Sequence, residues 1–155
     1  MHQYDYVIVG AGSAGSALAS RLSESGKFTV CLLEAGGSDK KFWVQMPLGY
    51  GKVFHDPSVN WRYMTEPEPN LDNQSVYWPR GKVLGGSSSI NAMVWVRGHK
   101  RDYEEWASVA PGWDWNNVQK IFNRIENWDG TSDVSRGMNG PQAVHDVSSD
   151  VHPLT

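Results

Sequence analysis

The chain has 155 residues, of which 39% are hydrophobic and 20% are charged, and its formal net charge is −3. This composition is typical of a globular protein, and the absence of a basic stripe argues against a nucleic-acid partner. The single cysteine, Cys31, excludes an intramolecular disulfide framework. The longest stretch without charge, residues 6–20, is shorter than the roughly 20 apolar residues that a transmembrane helix requires. We therefore predict a cytoplasmic protein without a transmembrane segment, with peripheral membrane association left open.

Residues 5–34 have the pattern of a βαβ unit. The continuous apolar run Tyr6–Val9 predicts a strand buried on both faces, and residues 29–33 predict a second such strand. The residues between these two runs show helical spacing, and Gly26 suits a position just after the end of that helix. Two parallel strands joined by a helix require a crossover, and this segment is long enough to make one.

The turn between the first strand and the helix carries a dinucleotide-binding pattern, Gly10-x-Gly12-x-x-Gly15. Gly10 permits a tight turn, Gly12 lets the backbone approach a pyrophosphate, and Gly15 lets the helix pack close to the strand. The N-terminus of the helix would supply amide groups to the phosphates. Glu34 ends the second strand, where an acidic residue accepts hydrogen bonds from a ribose and disfavours the 2′-phosphate of NADP. We therefore predict a dinucleotide site rather than a purely structural turn.

The middle of the chain is predicted from its turn residues. Residues 36–60 look irregular because proline and glycine interrupt them repeatedly. Residues 61–65 and 75–78 then predict the two strands of a hairpin with a long loop.

A second glycine-rich loop spans residues 81–91. Gly85 and Gly86 precede three serines at a predicted helix start, so that backbone amides and hydroxyl groups are exposed together. Taken alone, this loop is as consistent with a structural turn and helix cap as with a phosphate or ring-edge site. Together, the two loops indicate a dinucleotide held from two sides.

Two helices and a strand are predicted downstream of this loop. Residues 103–110 predict a short helix, and Asp114 is placed to cap the next one. The apolar face of that next helix consists of Val118, Ile121, Phe122, Ile125 and Trp128. Residues 129–133 indicate a loop, and residues 142–147 indicate a strand.

The segment from Gly81 to Glu104, with Gly85-Gly86-Ser87-Ser88, Ile90-Asn91 and Trp95 at their spacing, resembles a motif of the glucose–methanol–choline (GMC) oxidoreductase family. Other segments that fit the family are residues 4–15, 33–37, 60–61, 78–82, 102–106 and 112–113. The resemblance covers nearly the whole chain and is nearest to the choline-dehydrogenase-like branch. It implies an α/β, Rossmann-like FAD-binding fold with insertions at residues 36–80. Residues 1–128 would be the N-terminal part of the FAD-binding domain, and residues 129–155 the start of a truncated substrate domain.

The resemblance also implies which residues hold FAD. Those implied for the pyrophosphate and adenosine end are Gly10, Gly12, Ser13, Ala14, Gly15, Glu34 and Ala35. Those implied for the flavin end are Val83, Gly86, Ser87, Asn91, Ala92, Met93 and Val94. Family members that bind FAD covalently use a histidine where this chain has Ile90, so noncovalent FAD is expected.

The implied enzyme oxidises a primary alcohol to an aldehyde, with a small-molecule alcohol as substrate, hydride transfer to flavin N5 and an unspecified electron acceptor. The family's catalytic histidine lies in a C-terminal region that this chain does not match, and none of the histidines at 2, 55, 99, 145 and 152 corresponds to it. We therefore assign no catalytic residue and no metal ligand. The chain is expected to be an N-terminal fragment that is inactive alone. Two alternatives stay open: an NAD-dependent dehydrogenase domain, which the second loop disfavours, and a non-catalytic remnant.

Overall fold

The computed structural model of the protein describes residues 2–131 and 133–147. By backbone contacts the chain divides into two compact units, the first ending at Val94 and the second beginning at Trp95. The boundary predicted at residue 128 is a different one, between a cofactor-binding part and a substrate-binding part, and that boundary stays a prediction. Within the described ranges, every helix is too short or too polar to cross a lipid bilayer.

The first unit begins with the predicted βαβ arrangement. Strand β1 (Tyr6–Val9) pairs in parallel with strand β2 (Val30–Leu33), with Tyr6 opposite Val30, and helix α1 (Ser13–Ser23) connects them. Packing of α1 against both strands explains why apolar residues recur in all three elements. This part of the chain confirms the α/β, Rossmann-like fold class.

The prediction that both strands are buried on both faces is wrong for this pair. Val7 is 59% exposed and Val9 is 85% exposed. A parallel strand is buried only where other elements cover both faces of its sheet. In the described part of the chain this sheet has two strands, and α1 is the helix that packs against it.

Residues 36–60 contain short helical turns instead of the irregular chain that we predicted. Helix α2 (Phe42–Gln45) and helix α3 (Tyr50–Val53) flank a 3-10 turn that begins with a proline. The prolines and glycines therefore limit the length of these helical turns but do not prevent the turns from forming. Gly49 allows close packing here, because a Cβ at this position would lie 2.0 Å from the carbonyl oxygen of Trp43.

The predicted hairpin is confirmed as strand β3 (Tyr63–Met64) paired antiparallel with strand β4 (Tyr77–Trp78). The core of the first unit contains a cluster of buried aliphatic side chains formed by Val53, Val59, Val83 and Ile90. Two members of this cluster belong to the second glycine loop. The loop is thus anchored in the core at residues on either side of its glycine pair.

The second unit contains two helices, α4 (Lys100–Ala107) and α5 (Trp115–Ile125). Asp114 caps α5 as predicted, because its side chain accepts a hydrogen bond from the amide of Asn117 at 3.1 Å. In the first unit, a 3-10 turn at Gly86–Ser89 lies where a helix or helical turn beginning near Ser87 was predicted.

The apolar face predicted for α5 is confirmed only in part. Val118 is buried, and the Phe122 ring packs edge-on against that of Trp95 at 6.0 Å, whereas Ile121 is exposed. Trp128 is not on the helix, which ends three residues earlier. It belongs instead to a strand, because the chain becomes extended after the helix.

That strand, β5 (Glu126–Trp128), pairs in parallel with strand β6 (Gln142–Val144), which is shorter than the strand predicted at residues 142–147. Glu126 begins β5 and is fully buried. Its Oε2 accepts hydrogen bonds from the guanidinium of Arg97 and from the amide of Gly137, the latter at 3.0 Å. The guanidinium of Arg136 lies 3.1 Å from Oε1, an ion-pair distance without hydrogen-bond alignment. We call Glu126, Arg97 and Arg136 the buried ion cluster.

Candidate cofactor site

The two glycine loops that the sequence singled out are in contact with each other. Gly12 and Gly85 form a β-bridge, and the amide of Gly85 donates to the carbonyl of Ala11 at 2.8 Å. A Cβ on Gly86 would come within 2.8 Å of the Cα of Gly12. The loops therefore meet backbone to backbone, at a separation that a side chain on Gly86 would not permit.

A cleft of about 640 Å³ opens beside this contact, within the range of roughly 300–1,000 Å³ that small-molecule sites occupy. Six residues of the predicted site line it: Gly10, Gly12, Glu34, Ala35, Gly86 and Ser87. Six further residues complete the lining: Val9, Leu33, Trp61, Tyr63, Arg80 and Gly81. One cleft thus joins the first loop, the end of β2 and the second loop.

The glycines of the first loop differ in what requires them. Gly10 has a φ of +96°, which residues with side chains rarely adopt. A Cβ on Gly15 would lie 1.9 Å from the carbonyl oxygen of Gly10. Gly12 has neither constraint, since its φ of −75° and ψ of −173° suit any residue, and an added Cβ would meet nothing closer than 3.9 Å. The packing of the protein does not require glycine at position 12, whereas a ligand bound close to the backbone would require it.

Gly12 is also the N-cap of α1, and the first turn of that helix contains no acidic residue. Ser13 and Ala14 lie exposed in this turn. The free amides and the helix dipole give this end partial positive charge, which favours a bound anion. A cleft of this volume, with glycine at its wall and a helix N-terminus beside it, fits the pyrophosphate of the predicted cofactor.

Glu34 was predicted to accept hydrogen bonds from a ribose. In the structure its Oε2 accepts from the amide of Ala11 and its Oε1 from the amide of Gly36, both at 2.8 Å. Each carboxylate oxygen has a second acceptor position. The side chain can therefore hold these amides and still accept from a ribose in the cleft.

The residues predicted for the flavin end lie in different environments. Gly86 and Ser87 line the cleft. The side chain of Val83 is fully buried in the core, so only its backbone can face a ligand. Its predicted role as a lining residue stays a prediction that concerns its backbone alone.

The segment after the second loop borders a smaller cavity of about 130 Å³, which aromatic residues of α2 and α3 also line. Asn91 and Met93 line this cavity, whereas Ala92 and Val94 are exposed and line neither cavity. The side-chain oxygen of Asn91 accepts from the amide of Met93 at 2.8 Å, and Met93 has a φ of +59°. This local hydrogen bond stabilises an unusual backbone conformation beside the cavity.

Sequence reasoning did not assign Trp61, Tyr63 or Arg80 to the site. The rings of Trp61 and Tyr63 stack with centroids 5.9 Å apart, and the ammonium group of Lys82 lies 4.5 Å from the centre of the Trp61 ring. Alternation along the predicted strand placed the two aromatic residues on one face. That spacing was the one feature of the sequence that could have indicated their shared position, although it does not show which face of the strand meets a cleft.

Comparison with known proteins identifies relatives over nearly the whole chain. Residues 4–154 match the family model described as GMC oxidoreductase. The oxygen-dependent choline dehydrogenase of Vibrio vulnificus is 52% identical over 139 residues, which make up 89% of this chain and 25% of that relative. The chain therefore spans about a quarter of the length of this curated relative.

Two solved structures share the fold. The pyridoxine 4-oxidase from Mesorbium loti has a TM-score of 0.90 and 35% identity, covering 98% of this chain and 30% of its own. A formate oxidase from Aspergillus oryzae, studied for modification of its FAD, has a TM-score of 0.80 and 28% identity, covering 92% of this chain and 26% of its own. Neither supports an NAD-dependent domain. With the family model matched from residue 4 to residue 154, the chain belongs to the GMC oxidoreductases, a family of FAD-dependent flavoproteins.

Proposed function

We propose that the complete protein carrying this chain oxidises the CH–OH group of a small primary alcohol, and that this chain holds the pyrophosphate and adenosine of its FAD. The single observation that carries the proposal is Gly12, a cleft-lining glycine that the protein's own packing does not require. The names of relatives support the substrate class, since choline and pyridoxine both carry primary alcohols.

Each element of the cleft has a role in this proposal. Gly10, Gly12 and the first amides of α1 bind the pyrophosphate, and Glu34 accepts from the adenosine ribose. Gly86 and Ser87 hold the part of the cofactor that leads to the flavin. When bound, FAD supplies the acceptor for the hydride that the alcohol loses. The chain's own residues bind and orient the cofactor.

The direct test is anaerobic addition of choline and simple primary alcohols to the purified complete protein. We expect at least one alcohol to bleach the visible absorption band of the oxidised flavin. The band should return when an artificial dye or oxygen is added. A protein that contains FAD but is reduced by none of the alcohols would contradict the proposed substrate class. A protein purified without flavin and unable to take it up would contradict the cofactor.

The described histidines do not line either cavity. His55 stacks on Tyr77, the side chain of His99 accepts from the amide of Arg101 at the start of α4, and His145 pairs with Asp129. His2 is exposed, and His152 lies outside the described residues. We therefore propose that the base that takes the hydroxyl proton is none of the described histidines.

We expect residues 1–155 expressed alone to show no turnover of alcohols and to bind FAD poorly. A positioned general base contributes about 10²–10⁴-fold to such a reaction, and the exposed faces of β1 and β2 favour aggregation. The measurement is dye reduction with choline and primary alcohols after FAD is supplied. Flavin-dependent turnover by a monomeric preparation would show that this expectation is wrong.

We also expect FAD to be bound noncovalently. Ile90, at the position where some relatives carry the attaching histidine, has an aliphatic side chain buried against Val53, Val59 and Val83. Such a side chain has no nucleophile with which to form a bond. Acid precipitation of the complete protein should release yellow flavin into the supernatant, with free FAD carried through the same steps as the control for recovery. Colour that remains with the precipitate would contradict noncovalent binding.

A further inference from the structure

The carboxylate of Glu34 is the point at which two backbone loops of the first unit are tied together. One oxygen accepts from the amide of Ala11 in the first glycine loop, and the other accepts from the amide of Gly36 just after β2, both at 2.8 Å. Ala11 is almost completely buried. Hydrogen bonds from backbone amides to a charged carboxylate are stronger than those to a neutral acceptor.

Both amides belong to segments that contact the second glycine loop. The carbonyl of Ala11 accepts from the amide of Gly85 at 2.8 Å. The carbonyl of Gly37 accepts from the amide of Leu84 at 2.9 Å. Gly36 itself packs so closely that a Cβ there would lie 2.0 Å from the carbonyl carbon of Lys82. One side chain is thus connected, through one further hydrogen bond on each side, to two neighbouring amides of the second loop.

We propose that Glu34 is a positioning residue that assembles the two glycine loops into one cleft before the cofactor binds. This role is additional to its predicted contact with the ribose, and its relevance to FAD rests on the proposed function. Without the carboxylate, the two loops lose their common anchor. Ordering them would then fall to the cofactor and weaken its binding.

A substitution to glutamine separates this role from general stability. Glutamine keeps the size of the side chain and one acceptor, but its amide nitrogen donates and would face a backbone amide that also donates. The matched control is Asp5→Asn. The carboxylate of Asp5 joins β1 to β2 at the opposite end, accepting from the amide and hydroxyl of Thr29 at 2.7 and 2.8 Å. These bonds from Thr29 also hold the pKa of the Asp5 carboxyl below its ordinary value.

The experiment is hydrogen exchange on the complete protein after removal of flavin. In Glu34→Gln we expect the amides of Leu84 and Gly85 to exchange roughly tenfold faster than in the wild type, while the amide of Gly86 changes little. The amide of Gly86 is an internal reference, because it donates to Val83 within the same loop at 2.7 Å. In Asp5→Asn we expect none of these three amides to change by more than about twofold.

Unchanged exchange at Leu84 and Gly85 in Glu34→Gln would overturn the proposal. Equal acceleration of every amide, Gly86 and the strands included, would also overturn it, because it would show a general loss of stability. FAD titration of the wild-type apoprotein is a separate measurement. If FAD does not bind, the proposed function fails, while the exchange result still decides whether Glu34 positions the loops.

Discussion

Replacement of Gly12 by valine should abolish FAD loading of the complete protein while leaving it folded. The backbone at this position has a φ of −75° and a ψ of −173°, which suits a β-branched residue. The nearest atom to an added Cβ is the Cα of Gly86 at 3.9 Å, so the fold has room for a Cβ at this position. The side chain would instead occupy the cleft and hold a pyrophosphate away from the amides of α1. Losing two hydrogen bonds between the pyrophosphate and these amides corresponds to a rise in the Kd for FAD of about 100-fold or more.

The measurement is the flavin content of purified protein together with its thermal unfolding. Gly12→Ala and Gly51→Ala form a matched pair, because both place a methyl group where the protein leaves space and only Gly12 lines the cleft. Both should retain or slightly raise the stability of the apoprotein, but only Gly12→Ala should lose flavin. Equal flavin content in the wild type and Gly12→Val would show that the cleft does not hold the cofactor.

Removing the one negative charge of the buried ion cluster, that of Glu126, should produce a large loss of stability. In Glu126→Gln the guanidinium groups of Arg97 and Arg136 would remain buried or half-buried without their carboxylate. The Nε atom of Arg97 already lacks a hydrogen-bond partner among the described residues. Removing one partner of a buried ion pair costs about 3–5 kcal/mol of unfolding free energy. Urea denaturation followed by tryptophan fluorescence measures this change.

Glu24→Gln is the control for the loss of one carboxylate. Glu24, the residue just after α1, pairs with Arg21 in the last turn of that helix at 3.1 Å, and both side chains are exposed. Solvent screens that pair, so its removal should cost no more than about 0.5 kcal/mol. Similar shifts of the urea midpoint in both variants would mean that the buried ion cluster contributes no more to stability than an exposed ion pair does.

Local patterns allowed much of the first unit to be predicted. The strand Tyr6–Val9, the helix after it and the parallel pairing with β2 all follow from spacing within about thirty residues. The cap at Asp114 was predictable for the same reason, because a capping side chain contacts an amide three residues away. Strand burial was not predictable, since it depends on which other elements cover the sheet.

The sequence by itself determined the α/β fold class and the position of the first glycine loop, because glycine spacing and apolar periodicity act on the backbone over a few residues. The family was visible in the sequence only as a resemblance of its motifs to those of known proteins. It left the second loop undecided between a turn and a site. Only the tertiary structure brought Gly85 against Ala11, placed Val83 in the core and added Trp61 to the cleft. These features depend on packing between segments far apart in the chain, and such packing has no local pattern from which it can be read.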